Sequence, residues 1–558
     1  MSVDGYLLCE NLPASRTQTE HFHYLADLIR SGGITAGLGA IRYGSYNLIV
    51  SDLARRRTHV ANDHLASIPF YHGTFGDLHV LSSNPVAIAR SHLLPNTFDW
   101  LACAEWMRVG YSFGSRYFLR EVRLLDANVC LQYDHDSGEV AWLTRPPSPI
   151  DKLPEAQYPS IDQLNSALKQ SLDELGQIDP HPAHFMSAGK DSRLLLAAWP
   201  TEYDPPCYTY GNPDSHEFTI AQQVARLRGS EWIHIWPHGD EAASHIESMF
   251  DTNGLIVFPD RYIAAKRIAE NGHEGVMDGL LGDTFMGWGY HQRSSAYAGM
   301  MGRILRHITI YHDDTVDSVG LERYAGRLYV DIQDPNVRSA LSGYIRADFL
   351  ATLDDHDDAI REDLMAELRR CLPANGSLGL LRRRFMLANR SAHAIIHQGT
   401  MCRAFVQPYY PFASDLGFLE LQRRIPLQVS SFNRPIIRIF RTYYPAYGKI
   451  PYGASLLPLN APPLRHQLSQ QLIGRGLFIP GLSGQLRGKA RDANSWGVWL
   501  RQSAALRDVA CEMMRQGGIL DEAAAAITMQ KIATGEIAGT GLMFHMAAIA
   551  KWLRLAQR

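Results

Sequence analysis

The chain has 558 residues, of which 46% are hydrophobic and 20% charged, a balance typical of a water-soluble protein long enough for two or more cored domains. A net charge of -3 and an isoelectric point near 6.8 argue against a general nucleic-acid or membrane-surface binder. No apolar stretch reaches the roughly 18 residues of a membrane helix, and residues 1–5 do not resemble a signal peptide, so we expect a cytoplasmic protein.

The first 150 residues alternate short apolar segments with turn signals. Strand character is clearest over residues 40–51, 78–82 and 139–143, with glycine-rich or Asp/Gly turns between such segments. Residues 145–150 (Arg-Pro-Pro-Ser-Pro-Ile) cannot continue a helix or a strand interior. The pattern predicts a β-rich domain over residues 1–150 and a second unit over residues 151–558.

The most informative stretch is residues 184–199, where a short apolar run ends in a tight turn and an apolar helix begins. Unpaired amides and the positive end of the helix dipole at such a junction favour an anion. Ser187 and Ser192 add hydroxyl donors, and Asp191 offers an oxygen ligand for magnesium. The turn reads Ser-Ala-Gly-Lys-Asp-Ser, which is not the Gly-x-x-x-x-Gly-Lys-Ser/Thr P-loop. The alternative is an ordinary capped strand-to-helix turn.

Further apolar β segments alternate with helical ones after this turn. A helix is predicted over residues 161–175, strands over 207–210 and 232–236, and a helix between them over 217–227. This alternation implies a parallel, doubly wound sheet. From about residue 300 the pattern becomes mostly helical, and it ends in a helix over 541–557.

The cysteines carry no recognisable metal or disulfide pattern. They are scattered, with no CxxC pair and no close Cys/His spacing. Most are expected to be buried apolar residues.

The Ser-Ala-Gly-Lys-Asp-Ser turn resembles the Ser-Gly-Gly-x-Asp-Ser signature of the PP-loop ATP pyrophosphatases, and other segments resemble asparagine-synthetase-like amide ligases in the same order. Residues 60–71 and 79–83 look like that family's glutaminase hairpin. Residues 278–290 resemble its Gly-x-Gly-x-Asp-Glu-x-Phe-Gly-Gly-Tyr motif, and residues 410–415 its Arg-x-Pro-Phe-Leu-Asp motif. The resemblance implies a glutaminase-like (Ntn-type) β-sandwich over 1–150. It implies an ATP-binding amide synthetase domain of the adenine-nucleotide α-hydrolase type over 151–558.

One departure concerns the amine donor. Glutamine-using members need cysteine as residue 2, whose thiolate attacks the glutamine amide, whereas this chain has Ser2 and its nearest cysteine is Cys9. We therefore expect an inactive glutaminase domain that is retained as a scaffold. The amine then comes from outside or from the substrate itself, as in β-lactam synthetases and lasso-peptide cyclases.

The resemblance assigns site residues for ATP and Mg²⁺. The pyrophosphate loop and the adenine-side strand end supply the nucleotide contacts: Ser187, Ala188, Gly189, Lys190, Asp191, Ser192, Thr209, Tyr210, Gly211 and Gly282. Asp191 and Asp283 match the acidic magnesium ligands. Lys449 is the expected cation near the α-phosphate, so the catalytic set is Lys449, Asp283 and Ser187.

Two departures lie in these motifs. Relatives place glutamate or tyrosine where this chain has Leu280 or Leu281, neither of which can move a proton. The base then comes from another residue, from the substrate or from solvent. Candidate residues are Tyr290, His291, His393 and His397. Ala188 replaces a glycine, which requires a φ compatible with a β-carbon.

The sequence thus predicts an ATP-dependent, AMP-forming ligase that adenylates a carboxylate and joins it to an amine. The preferred reaction is lactam or macrolactam closure in a natural product, on a small-molecule or precursor-peptide substrate, with a partner biosynthetic enzyme as an option. An ammonia-dependent asparagine synthetase and an inactive scaffold are the alternatives. The sequence leaves the substrates and the oligomeric state open.

Overall fold

The structure is a computed structural model. It describes the chain except residues 146–147, 150–154, 156, 203, 283–314, 334–336, 431–432, 474–495 and 558. The described residues form a mixed α/β protein with two antiparallel sheets and one parallel sheet, which confirms the predicted α/β and β-rich class. None of the described helices is both long enough and apolar enough to cross a membrane.

The antiparallel sheets lie in the N-terminal part. A five-stranded sheet has the order β1-β2-β3-β7-β8, and a three-stranded sheet the order β5-β4-β6. Their strands are β1 (Ser2–Cys9), β2 (Ile41–Asp52), β3 (Arg57–Asn62), β4 (Tyr71–Phe75), β5 (Leu78–Ser82), β6 (Val122–Leu124), β7 (Cys130–Asp134) and β8 (Val140–Trp142). The accompanying helices are α1 (Gln18–Gly39), α2 (Pro85–Arg90) and α3 (Trp100–Val109). Helix α1 begins with a capping box between Thr17 and Glu20.

The parallel sheet has five strands in the order β11-β10-β9-β12-β13. These are β9 (Ala183–Phe185), β10 (Cys207–Tyr210), β11 (Trp232–Ile235), β12 (Gly275–Met277) and β13 (Gln407–Tyr409). Helix α4 (Ile161–Ile178) precedes β9, and helices α5 (Asp191–Ala198), α6 (His216–Arg228), α7 (Gly239–Asn253) and α8 (Pro259–Glu270) connect the strands from β9 to β12.

The strand residues alternate between two buried faces. Phe185, Tyr208 and Val276 pack with apolar residues of α8, whereas Met186 and Met277 pack on the other face, with residues of α5 among their neighbours. Helices therefore cover both faces, as the nearly continuous apolar strands require.

The chain beyond β12 is helical apart from β13 in its described part. Its α-helices are α9 (Ser318–Ile332), α10 (Val337–Leu341), α11 (Ala347–Asp354), α12 (Asp357–Cys371), α13 (Leu378–Met386), α14 (His397–Arg403), α15 (Pro411–Ser414), α16 (Leu416–Arg424), α17 (Leu427–Ser430), α18 (Arg434–Tyr443), α19 (Pro445–Lys449), α20 (Pro463–Ile473), α21 (Trp496–Gln502), α22 (Ala504–Gln516), α23 (Glu522–Thr534) and α24 (Leu542–Ala556). A π-helix spans Leu387–Ile395.

The predicted elements agree closely with those in the structure. The strand over 207–210 has the same bounds, and the helices expected over 161–175, 217–227 and 541–557 are α4, α6 and α24 with ends shifted by three residues or fewer. The sequence pattern missed β12 and β13, because each has only three residues and β13 contains Pro408. The proline-rich connector falls partly outside the described residues.

The antiparallel sheet packs against the parallel-sheet unit through polar contacts. Tyr6 Oη lies 2.9 Å from Ser414 Oγ, and Arg42 Nη1 donates to Glu174 Oε2 at 2.5 Å. Arg403 pairs with Asp4 in the same region. These contacts place β1 and β2 beside α15 and α4.

Candidate functional site

A cavity of about 800 Å³ opens at the carboxyl ends of β9, β10 and β12. These strands flank the point where the chain reverses its direction of travel across the sheet, which is where ligands bind in open parallel sheets. The lining residues come from the strand ends, from the start of α8 and from the C-terminal helices: Phe185, Met186, Ser187, Gly189, Asp191, Ser192, Thr209, Tyr210, Glu217, Val257, Phe258, Asp260, Arg261, Asp278, Gly279, Leu280, Trp496, Gly497, Gly539, Gly541 and His545.

The predicted phosphate loop joins β9 to α5 and forms one wall of this cavity. Ser187 Oγ lies 2.8 Å from Ser192 Oγ and accepts a hydrogen bond from the Gly189 amide at 3.1 Å. The Ala188 amide donates to Glu217 Oε1 at 3.3 Å. The loop is therefore ordered by its own hydroxyls and by Glu217, with amides and hydroxyls gathered at a helix N-terminus.

Ala188 fits this loop without backbone strain. It is absent from the residues with positive φ among those described, so its β-carbon meets no left-handed penalty. The methyl group is buried among Met186, Leu196 and Leu456. Opposite it lies Gly453, whose amide donates to Ala188 O at 3.2 Å. A β-carbon at Gly453 would lie 2.8 Å from that of Ala188, so the two positions share the space of one methyl group.

Lys190 and Arg193 are not among the residues that line the cavity. Lys190 is buried, and its Nζ lies 3.1 Å from Asp191 Oδ2. Arg193 is fully buried and donates to the carbonyl oxygens of Ala188, Tyr447, Ile450 and Pro451 at 3.3, 3.2, 2.9 and 2.7 Å. Its guanidinium thus holds the 447–451 segment against the phosphate loop.

Burial shifts the titration of Arg193 but leaves it charged. Loss of hydration lowers the pKa of the guanidinium to about 9, which is still well above neutral pH. Carbonyl dipoles, which are among its contacts, stabilise the cation.

Lys449 lies at the end of α19 within the segment that Arg193 holds. Its side chain is exposed and is not among the residues that line the cavity. The predicted role near the α-phosphate requires this side chain to turn toward the cavity when substrate binds.

The loop after β12 approaches the phosphate loop closely. A β-carbon at Gly279 would lie 2.7 Å from the Ser192 backbone nitrogen, and one at Gly282 would lie 2.6 Å from Asp191 Oδ1. Leu281 adopts φ of 67° and is buried, the left-handed conformation that glycine occupies most readily. Asp283, the second predicted magnesium ligand, follows Gly282 directly and lies outside the described residues.

The described residues include oxygen donors that bear on the predicted magnesium site. Among these residues, no three His, Cys, Asp or Glu side chains gather as a metal cage. Mg²⁺ is commonly held by one or two carboxylates together with substrate phosphates and water, so such a cage is not required. Asp191, on the cavity wall at the phosphate loop, has the hard oxygen donors that fit this arrangement.

The predicted adenine-side residues lie at the end of β10. Thr209 is buried and donates its hydroxyl to Met186 O at 2.9 Å, while Trp232 Nε1 donates to Thr209 Oγ1 at 3.1 Å. Tyr210 lines the cavity, and burial raises the pKa of its phenol. Gly211 has φ of 110°, and its carbonyl lies 2.9 Å from His234 Nε2.

The sequence did not single out several residues of the cavity. Arg261 is buried, pairs with Asp278, donates to Gln398 Oε1 at 2.6 Å and lies 4.8 Å above the Phe185 ring. Glu217 lies in the first turn of α6, and His545 lies in α24. A charged pair after Pro259 at a helix start was a signal for Arg261, whereas nothing local marks His545.

The histidines proposed as bases lie elsewhere. His393 and His397 are buried and do not line the cavity, and burial lowers the pKa of His393 to about 4 and that of His397 to about 3. His393 Nε2 lies 2.7 Å from Gly114 O, and His397 Nδ1 lies 3.4 Å from Asn253 Nδ2. Tyr290 and His291 lie outside the described residues.

Comparison with known proteins adds no assignment to this site. No protein-family model matches the chain, and no curated protein matches its sequence.

Proposed function

We propose that this protein is an ATP-dependent, AMP-forming amide ligase of the asparagine-synthetase type, with residues 151–558 as the synthetase domain. The observation that carries the proposal is the position of the Ser-Ala-Gly-Lys-Asp-Ser loop. It follows the central strand of a parallel sheet, leads into a helix and contributes residues, Asp191 among them, to the lining of a large cavity. That position is suited to holding the phosphates of a nucleotide.

In this proposal the phosphate loop binds the pyrophosphate that leaves when a carboxylate attacks the α-phosphate of ATP. The Gly189 amide and the Ser187 and Ser192 hydroxyls can donate to its oxygens. Mg²⁺, held by Asp191 and the predicted Asp283, would neutralise charge on the leaving group. An amine then attacks the acyl-adenylate carbonyl, and AMP leaves.

The N-terminal part supports an amine source other than glutamine. Ser2 stands where glutamine-using relatives have cysteine. Burial raises the pKa of Cys9 to about 11, and its thiol donates to His21 O at 3.7 Å, so this cysteine is not an activated nucleophile. We therefore assign residues 1–150 to an inactive glutaminase-like scaffold. Closure of a lactam or macrolactam within one molecule fits this reading.

The test is exchange of labelled pyrophosphate into ATP with a panel of carboxylates. The panel contains aspartate, glutamate and peptides with a free amino terminus and an internal Asp or Glu. We expect exchange with at least one acid, and its loss in Asp191→Asn but not in the control Asp27→Asn, an exposed residue of α1. Exchange with no acid would contradict the proposal and favour an inactive scaffold.

Product mass separates the ligase reactions. Intramolecular closure removes one water from the acid, whereas ligation of ammonia converts the acid to its amide. An ammonia-dependent synthetase would show the second change alone.

A further inference from the structure

We propose that His545 is the proton acceptor for the amine that attacks the acyl-adenylate. The inference rests on the proposed function and adds a catalytic residue to it. It answers a specific need, because Leu280 and Leu281 occupy the loop where relatives place a group that can move a proton, and Leu280 lines the cavity.

His545 is presented to the cavity by a rigid element. It lies in the first turns of α24, whose residues Phe544, Met546 and Ala547 are fully buried. Its ring packs at 5.4 Å from the ring of Trp106, which fixes one side of the imidazole. The side chain is therefore held in place by packing.

The ring nitrogens of His545 are available within the described structure. They make no hydrogen bond to any residue that the structure describes, and they are not among its buried atoms lacking a partner. His545 is one of the residues that line the cavity, so its side chain borders that space. Burial lowers the pKa of the imidazole to about 4, so it is neutral at pH 7 and carries a lone pair.

The other described side chains of the cavity lining that could accept a proton already make other interactions. Asp278 forms an ion pair with Arg261, and Glu217 accepts the Ala188 amide. Asp191 belongs to the phosphate loop beside Lys190.

Asp260 and Tyr210 also line the cavity and could be considered as bases. Asp260 accepts the Arg261 amide at the start of α8 at 2.9 Å. The phenol of Tyr210 stays protonated, because burial raises its pKa. His545 is the described lining residue whose chemistry matches a neutral base.

The amine nitrogen forms a bond to the acyl carbon and gives a tetrahedral adduct with an N–H that is much more acidic than that of a free ammonium. His545 takes this proton on a ring nitrogen, the C–O bond to the phosphate breaks, and AMP leaves with the electron pair. The imidazolium then releases its proton to solvent.

The experiment compares wild type with His545→Gln, using the acid that supports pyrophosphate exchange. Glutamine retains polarity but cannot accept the proton. We expect exchange within 3-fold of wild type, whereas formation of the amide from the enzyme-bound adenylate falls by about 10²- to 10⁴-fold. Hydroxylamine is unprotonated at pH 7.5 and attacks acyl-adenylates without a base, so hydroxamate should form equally in both proteins.

A matched control and a second variant accompany this test. His273→Gln changes a histidine that precedes β12 at the opposite end of the sheet and should leave all three rates unchanged. His545→Asn is measured if the glutamine variant does not fold.

Amide formation at the wild-type rate in the variants would overturn the role of His545. An equal loss of amide and hydroxamate would also overturn it, since that pattern indicates a structural role. Absence of exchange in wild type would instead overturn the proposed function.

Discussion

The contact between Ala188 and Gly453 yields a prediction whose size follows from the structure. A β-carbon added at Gly453 would lie 2.8 Å from the Ala188 β-carbon, which is closer than unbonded carbons approach each other. Both atoms are attached directly to backbone, so relief requires the 447–456 segment to move. We expect Gly453→Ala to lower the free energy of unfolding by about 1 to 3 kcal/mol, the usual cost of overpacking.

Ala188→Gly should also destabilise the protein when made alone. It removes one buried methyl group, worth about 1 kcal/mol, and a glycine adds about 0.5 to 1 kcal/mol of unfolded-chain entropy. The double variant transfers the methyl group from one side of the contact to the other. Its loss should therefore fall short of the sum of the single losses by about 1 to 3 kcal/mol.

Urea unfolding of wild type, the two single variants and the double variant, followed by tryptophan fluorescence, measures this coupling. The free energies are compared with one common value for their linear dependence on urea concentration. A parallel cycle with Gly326→Ala serves as the control, because a β-carbon at Gly326 meets nothing within 4 Å. That cycle should be additive. If the Ala188/Gly453 cycle were additive to within about 0.5 kcal/mol, the shared-space account of this loop would be wrong.

Other predictions concern Arg193, Asp415 and Leu281. Arg193→Met should cost about 3 kcal/mol and should speed hydrogen exchange of amides in 447–456, since several carbonyls lose their donor. Arg193→Lys should not restore slow exchange, because one ammonium cannot replace the planar fork. Burial raises the pKa of Asp415 from 3.8 to about 6. The folded state therefore binds this proton more tightly than the unfolded state, and the free energy of unfolding falls as pH rises from about 4 to about 6. Asp415→Asn, which keeps the N-cap of α16, should therefore raise stability by up to about 3 kcal/mol at pH 7.5 and by little at pH 4, as urea midpoints at the two pH values would show. Leu281→Gly should lower the thermal midpoint, because loss of a buried leucine costs about 2 to 5 kcal/mol and relief of its left-handed backbone returns only about 1 to 2 kcal/mol.

Local pattern explains which parts of the fold were predictable. The apolar run at 207–210, the helix at 217–227 and the turn at 187–192 each carry their signal within a few residues, so their type and position follow from periodicity and capping. The short strand β13 has no such signal, because its three residues form a strand through their pairing with β12.

The residues of the candidate site also fall into those that local sequence indicates and those that it does not. Ser187 and Asp191, which line the cavity, could be named from the sequence because the loop that carries them is continuous in sequence. The contact of Ala188 with Gly453 and the hydrogen bonds from Arg193 to the 447–451 segment join positions more than 250 residues apart. His545 lies in the last helix of the chain, and tertiary packing, including the contact of its ring with Trp106 of α3, brings it to the cavity. Such neighbours depend on tertiary packing, which no local pattern encodes.

The internal hydrogen bonds of the 187–192 loop bear on the proposed binding of a nucleotide. In the described structure Glu217 accepts the Ala188 amide, and Ser187 Oγ accepts the Gly189 amide. A pyrophosphate that uses these amides must displace the carboxylate of Glu217, and two anions at one helix N-terminus repel each other. A divalent cation removes this conflict by neutralising the phosphate oxygens. Under the proposed function, binding of pyrophosphate and binding of magnesium should therefore be coupled through Glu217.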